Sequence, residues 1–221
     1  MSSQIVSKKR VSDHGEVFTA EREVNDMLDL VKQETERIDS RFLEPACGTG
    51  NFLIPIIQRK LAIVKQRYSK SRLEFERYAV IAIGSVYGVD ILEDSVEQCR
   101  QRLYDEVSQF YTSLYKSDAD EKFRKTLRFI LERNIIHGDA LTLRTVKSTE
   151  FPIIFSEWSL VQGSMVKRRD FSFEEILQKQ GGNVGLFANI DIDNTDDPYF
   201  IPEPLKEYTL THYLELPYAT V

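Results

Sequence analysis

Apolar positions along this chain change period repeatedly. From residue 21 to 37, Val24, Met27, Leu28 and Val31 fall at helical spacing, which predicts a helix over 21–37; the short apolar run 41–44 then predicts a strand. Residues 45–51 hold two glycines and a proline and read as a tight turn. An apolar-faced helix is expected over 52–68, with Pro55 in the first turn, where a missing N–H costs nothing. A second helix is predicted at 73–83. The strand 86–91 follows and carries Asp90 near its end; then comes a long amphipathic helix over 93–114, with Val96, Cys99, Leu103 and Val107 on one side. After a polar break at 116–121, a helix over 121–133 leads into a strand over 134–140 that ends at Asp139. Strand and helix alternate three times, the pattern of a parallel sheet covered by helices, so the expected fold class is α/β and doubly wound.

Beyond residue 150 the pattern loosens. Five of the seven prolines lie there, with Gly181, Gly182 and Gly185 and an acidic stretch at 191–197. One strand (152–155), one short helix (173–180) and an extended stretch over 212–216 are predicted. The expected organisation is a ligand-binding domain over 1–150, followed over 151–221 by the remainder of the sheet and an irregular acidic tail.

Composition narrows the class. With 42% apolar and 29% charged residues in 221, the chain has enough apolar material for one sizeable core, which excludes disorder and collagen-like repeats. No apolar run reaches membrane-helix length and the start lacks a signal-peptide stretch, so a cytoplasmic location is expected. The net charge of -6 lies entirely in residues 180–221, where seven acids face one base, and residues 1–179 are neutral. A chain that gripped nucleic acid alone would show a basic excess. Lys167, Arg168 and Arg169 form a short basic run that would touch phosphate without reading sequence. Cys47 and Cys99 have no Cys or His beside them, and His14, His137 and His212 share no metal spacing; reduced thiols and no metal site are expected. The 191–197 stretch fails as a calcium loop, having Asp196 where glycine belongs.

Ligands of parallel α/β sheets sit beyond the carboxyl ends of the strands. Glu44, Asp90 and Asp139 occupy those ends, and the turn between the first strand and its helix contains Gly48 and Gly50, which let backbone approach a ligand. Leu53 stands where a dinucleotide fingerprint would have its third glycine. An acid ending the second strand accepts from ribose hydroxyls, so the set points to a nucleoside and away from a dinucleotide.

The run FLEPACGTGNFLIPI resembles the cofactor motif of S-adenosylmethionine-dependent DNA methyltransferases. HGEVFTAEREVNDMLDLV resembles the motif preceding it in the adenine-N6 group, VYGVDI the ribose-binding strand and NIIHGDAL the adenine-binding one. Together they cover about residues 13–141, in the order found in restriction-modification methylases. The resemblance implies a Rossmann-like class I methyltransferase sheet with S-adenosylmethionine as cofactor. It implies that Phe18 and Thr19 contact the methionine end, and that Glu44, Ala46, Gly48 and Gly50 hold the amino-acid moiety. Asp90 would bind the ribose, Ile91 would pack on the adenine, and Asp139 with Ala140 would bind the adenine amino group. Ala20 stands where the family has proline, and the 40 residues from Gly50 to Asp90 accommodate an inserted helix, for which 73–83 is the candidate.

The family's target-base motif, Asn or Asp followed by Pro-Pro and Tyr or Phe, does not occur in this chain. Its chemistry aligns the target amine with the methyl group while an aromatic ring stacks on a flipped base. The nearest substitutes at the expected fourth strand end are Glu157 and Trp158. The reading is therefore the cofactor-binding part of a DNA adenine-N6 methyltransferase, acting on DNA through a partner chain or a missing segment. Two alternatives stand beside it: a non-catalytic subunit serving as an interaction scaffold in a restriction or phage-defence complex, and a small-molecule or RNA methyltransferase using Glu157.

Overall fold

The computed structural model describes residues 19–147, 151–174 and 203–219. Its frame is three parallel strands, β1 (Phe42–Glu44), β2 (Val86–Asp90) and β3 (Ile135–Asp139), in that spatial order; β4 (Arg144–Thr145) returns antiparallel against β3. The intervening helices lie where periodicity placed them: α3 (Leu53–Tyr68), α4 (Arg72–Gly84), α5 (Glu93–Tyr115) and α6 (Glu121–Asn134). The expected helix over 21–37 is instead two, α1 (Glu21–Asp29) and α2 (Lys32–Thr35). Arg59 on α3 donates to the Asn25 carbonyl at 3.3 Å and pairs with Asp29 at 2.7 Å, which pins the last turn of α1 and lets the chain turn at Leu30 and Val31.

The two faces of the frame are covered differently. Phe42, Val86 and Ile135 face a layer of helices and join one core with Leu28, Ile57, Leu61, Phe75, Leu103 and Leu127. Tyr87 and Val89 point the other way, onto Ile153, Phe155 and Phe173. The structure is thus mixed α/β with a helical layer on one face of a parallel sheet.

After β4 the architecture departs from the expectation of a single strand over 152–155. Residues Ile154–Gln162 (β5) and Met165–Ser172 (β6) form a long antiparallel hairpin turning at Gly163, and the short β7 (Lys206–Glu207) and β8 (Thr211–His212) both pair with β6. Polar residues that point inward disguise this hairpin in the sequence. The Asp170 carboxylate is buried because it accepts from Ser156 Oγ at 2.6 Å, Arg168 at 2.8 Å and the Tyr208 hydroxyl at 2.8 Å.

The course of β5 follows from its neighbours. Ile153 packs on Gly138 near the carboxyl end of β3, Phe155 lies 5.3 Å from Tyr87 in mid-sheet, and Trp158 packs on Gly84, ahead of β2. β5 therefore runs opposite to β1–β3, toward their amino ends.

The stretch expected to be extended over 212–216 is mostly a 3-10 helix, Tyr213–Tyr218. It is fastened to the helical layer by Tyr213, whose hydroxyl donates to buried Glu76 on α4 at 2.5 Å and whose carbonyl accepts from Thr126 Oγ1 at 2.9 Å. The remainder of the predicted helix over 173–180, beyond Glu174, and the acidic stretch 191–197 lie outside the described residues. Among the described residues no helix is long and apolar enough to cross a membrane.

Candidate cofactor site

The turn after β1 is built by its two glycines. Gly48 and Gly50 have φ of +50° and +91°, a region that side chains disfavour. A Cβ on Gly50 would also lie 2.9 Å from Cys99 Sγ on α5, so glycine is required there by both conformation and space. Cys47 N–H donates to the Val89 carbonyl at 2.9 Å and ties the turn to β2; Ile54 N–H donates to the Gly50 carbonyl at 2.9 Å and opens α3. Gly88 makes room for this arrangement, since a Cβ there would meet Cys47 Sγ at 3.0 Å. The two cysteines, distant in sequence, lie close together beneath the turn as buried free thiols, with Cys47 Sγ donating to the Gly48 carbonyl at 3.7 Å. The contact with Cys99, reinforced by burial, pushes the Cys47 thiol well up from its ordinary value, which makes it unreactive.

Asp90 joins the elements of the site. Its Oδ2 accepts from Gly48 N–H at 2.8 Å and its Oδ1 from Leu92 N–H at 2.9 Å, so one carboxylate holds both the glycine turn and the loop that opens α5. A carboxylate has about four acceptor positions, which leaves about two of them for hydroxyls of a ligand. Glu44 accepts from Ala46 N–H at 3.2 Å. Burial raises the Glu44 carboxyl above the usual carboxylate range; the Ala46 hydrogen bond opposes this and the charge of Asp90 adds to it. A cation placed beside Glu44 would favour its ionised form.

At the third strand end Asp139 Oδ1 accepts from Leu141 N–H at 2.8 Å, and Ala140 beside it is partly open. Ile91 is half exposed, with an apolar surface that a ring can cover. His137 Nε2 donates to the Ile91 carbonyl at 3.0 Å, which links the strand ends of β2 and β3; His137 lies within the NIIHGDAL run, but nothing in that run marks the histidine for this contact. Thr19 precedes α1 and is partly buried, whereas Phe18 lies outside the described residues.

Glu44, Ala46, Gly48, Gly50, Asp90, Ile91, Asp139 and Ala140 are thus gathered on the carboxyl ends of adjacent strands. Glu157 and Trp158 are not among them. They sit within β5 near the amino ends of the sheet, where Glu157 pairs with Arg41 at 3.1 Å and Arg169 at 2.7 Å. Trp158 is 5% exposed, with its indole N–H on Asn134 Oδ1 at 3.3 Å, and has no open face for a base. The expectation of a parallel fourth strand had put them at the pocket; the reversed direction of β5 removes them from it. The basic run is also engaged: Lys167 pairs with Glu207, Arg168 with Asp170 and Arg169 with Glu157.

Residues 18–151 match the family of the MmeI DNA-methyltransferase domain, and the chain belongs to that family. It is also 30% identical over 93 residues to a Methanocaldococcus jannaschii protein described as "Putative type II restriction enzyme and methyltransferase". That similarity covers 40% of this chain and 8% of the relative, so the chain spans a small part of that protein's length. No solved structure matches the chain. The family is that of restriction-modification methyltransferases, as the four sequence motifs implied.

Proposed function

We propose that residues 1–150 are a domain that binds S-adenosylmethionine across the carboxyl ends of β1–β3 and forms the cofactor-binding part of a DNA adenine-N6 methyltransferase. On this reading the sheet is of the Rossmann-like kind, with the methyl donor laid over the glycine turn; among the described residues helices cover one face only, so the doubly wound arrangement expected from the alternation is not seen. The observation that carries it is Asp90: a carboxylate fixed by two backbone N–H groups at the junction of the glycine turn and α5, with acceptor capacity left for a ribose. Glu44 receives the ammonium of the methionine end, Ile91 covers the adenine face, and Asp139 accepts from the adenine amino group. Phe18 and Thr19 complete the methionine side. The bound cofactor supplies an electrophilic methyl group; the chain's own residues orient it and keep water from it.

The target-base site is supplied by a partner chain or by another segment of a longer protein, since the chain has no Asn-Pro-Pro-Tyr run and β5 carries Glu157 away from the pocket. That source also supplies most of the grip on DNA.

Asp90→Ala is expected to weaken cofactor binding by about 1–3 kcal/mol, the range for a hydrogen bond to a charged group. Titration calorimetry with S-adenosylmethionine measures it, and equal affinities for the two proteins would remove Asp90 from the site. Glu44 adds a pH dependence. Its ionised form attracts the ammonium, and its carboxyl is raised above the ordinary value of 4.5, so affinity should fall on acidification at a higher pH than an ordinary glutamate would give. Glu44→Gln should flatten that profile; an unchanged profile would assign the titration to another group.

A further inference from the structure

The glycine turn is held from a second side by a residue that none of the four motifs contains. Arg102 lies on the inner part of α5, and its Nη1 donates to the Thr49 carbonyl at 2.6 Å, to Thr49 Oγ1 at 2.9 Å and to Asn51 Oδ1 at 2.9 Å. Thr49 is the residue between the two left-handed glycines and is itself buried. Two glycines separated by one residue leave a turn with many alternative backbone states, and fixing them costs conformational entropy that a ligand would otherwise have to supply. Asp90 restrains the amide of Gly48. Arg102 restrains the next peptide and the residue that enters α3.

We infer that Arg102 is a positioning residue that sets the glycine turn in its ligand-ready shape before the nucleoside cofactor arrives. This rests on the reading of the turn as the S-adenosylmethionine site. The guanidinium suits the task because its long stem carries a permanently charged nitrogen to the turn, where the two N–H groups of Nη1 are shared among a carbonyl, a hydroxyl and an amide oxygen; a lysine ammonium at the same place would be a shorter point donor. A turn that is competent only part of the time binds with an affinity reduced by that fraction, so the effect of losing Arg102 falls on cofactor affinity.

Three measurements on the full chain test this. In Arg102→Ala the dissociation constant for S-adenosylmethionine should rise roughly ten- to a hundredfold, with Arg102→Lys recovering part of the loss. Amide hydrogen exchange over 48–51 should speed up while exchange in β2 and β3 stays as in the wild type, a local signature that general loosening of the fold would not give. Asn51→Ala, which deletes one acceptor, should show a smaller effect of the same kind, and its effect should shrink in the Arg102→Ala background. Unchanged affinity in a folded Arg102→Ala protein overturns the inference. If the wild type binds no cofactor, the preceding reading fails, and the exchange measurement still decides Arg102: unchanged protection over 48–51 overturns its role, and local loss supports it. Should Arg102→Ala not fold, Arg102→Lys and Asn51→Ala carry the same comparison.

Discussion

Glu76→Ala is expected to destabilise the protein by about 3–5 kcal/mol, the range for breaking a buried charged cluster from one side. Glu76 is 1% exposed and accepts from two tyrosine hydroxyls, Tyr111 on α5 and Tyr213 of the 3-10 helix, and lies 3.5 Å from the Arg72 guanidinium. Alanine leaves both hydroxyls in a dry interior without their acceptor. Burial is the larger of the two causes, ahead of the Glu76 contact, that push both phenols well above their ordinary range, and it persists in the variant, so ionisation offers neither hydroxyl a way out. Urea denaturation measures the loss. Glu76→Gln keeps one acceptor and should cost clearly less; equal losses would show that packing and not the acceptor role accounts for the effect.

Trp158→Ala should be about as damaging, roughly 3–5 kcal/mol, the usual cost of emptying a large aromatic site. A Cβ on Gly84 would come within 2.8 Å of its ring, Phe129 meets it edge-on at 6.0 Å, and the truncation deprives Asn134 Oδ1 of its donor. Below the lowered melting temperature, the affinity for S-adenosylmethionine should match the wild type, because the ring lies toward the amino ends of the strands. The opposite pattern, unchanged stability with lost methyl transfer in a complete enzyme, would restore Trp158 as a base-stacking residue.

Both residues show what the sequence conceals. The frame was legible because each strand is a short apolar run ending on an acid and each helix carries an apolar stripe: β2, α5, α6 and β3 fall within a residue or so of expectation. The candidate cofactor residues were legible for a related reason, as local motifs whose spacing reflects one turn and two strand ends. Glu76 reads in sequence as an ordinary helical acid because its partners are 35 and 137 positions away. The β5–β6 hairpin stayed hidden since Ser156, Asp170 and Ser172 are buried polar residues that break the alternation by which strands are recognised. Trp158 was misplaced because strand direction depends on what the strand packs against, which no local pattern encodes. Arg102 and His137 act on backbone carbonyls, and such acceptors leave no trace in residue identity.

The clasp between Glu76 and Tyr213 also bears on how the chain comes to be folded during synthesis. Emerging from its amino end, the polypeptide has β1, β2 and the helices α3 and α4 available early, yet the acid at the centre of that helical layer waits until residue 213 for one of its two phenols. Until then its partners among the described residues are Tyr111 and the half-exposed Arg72. Contacts this distant along the chain form late, because loop closure must precede any gain from them. One fastening of the helical layer thus comes from a segment well outside the cofactor motifs, and a nascent chain that has not reached residue 213 lacks it.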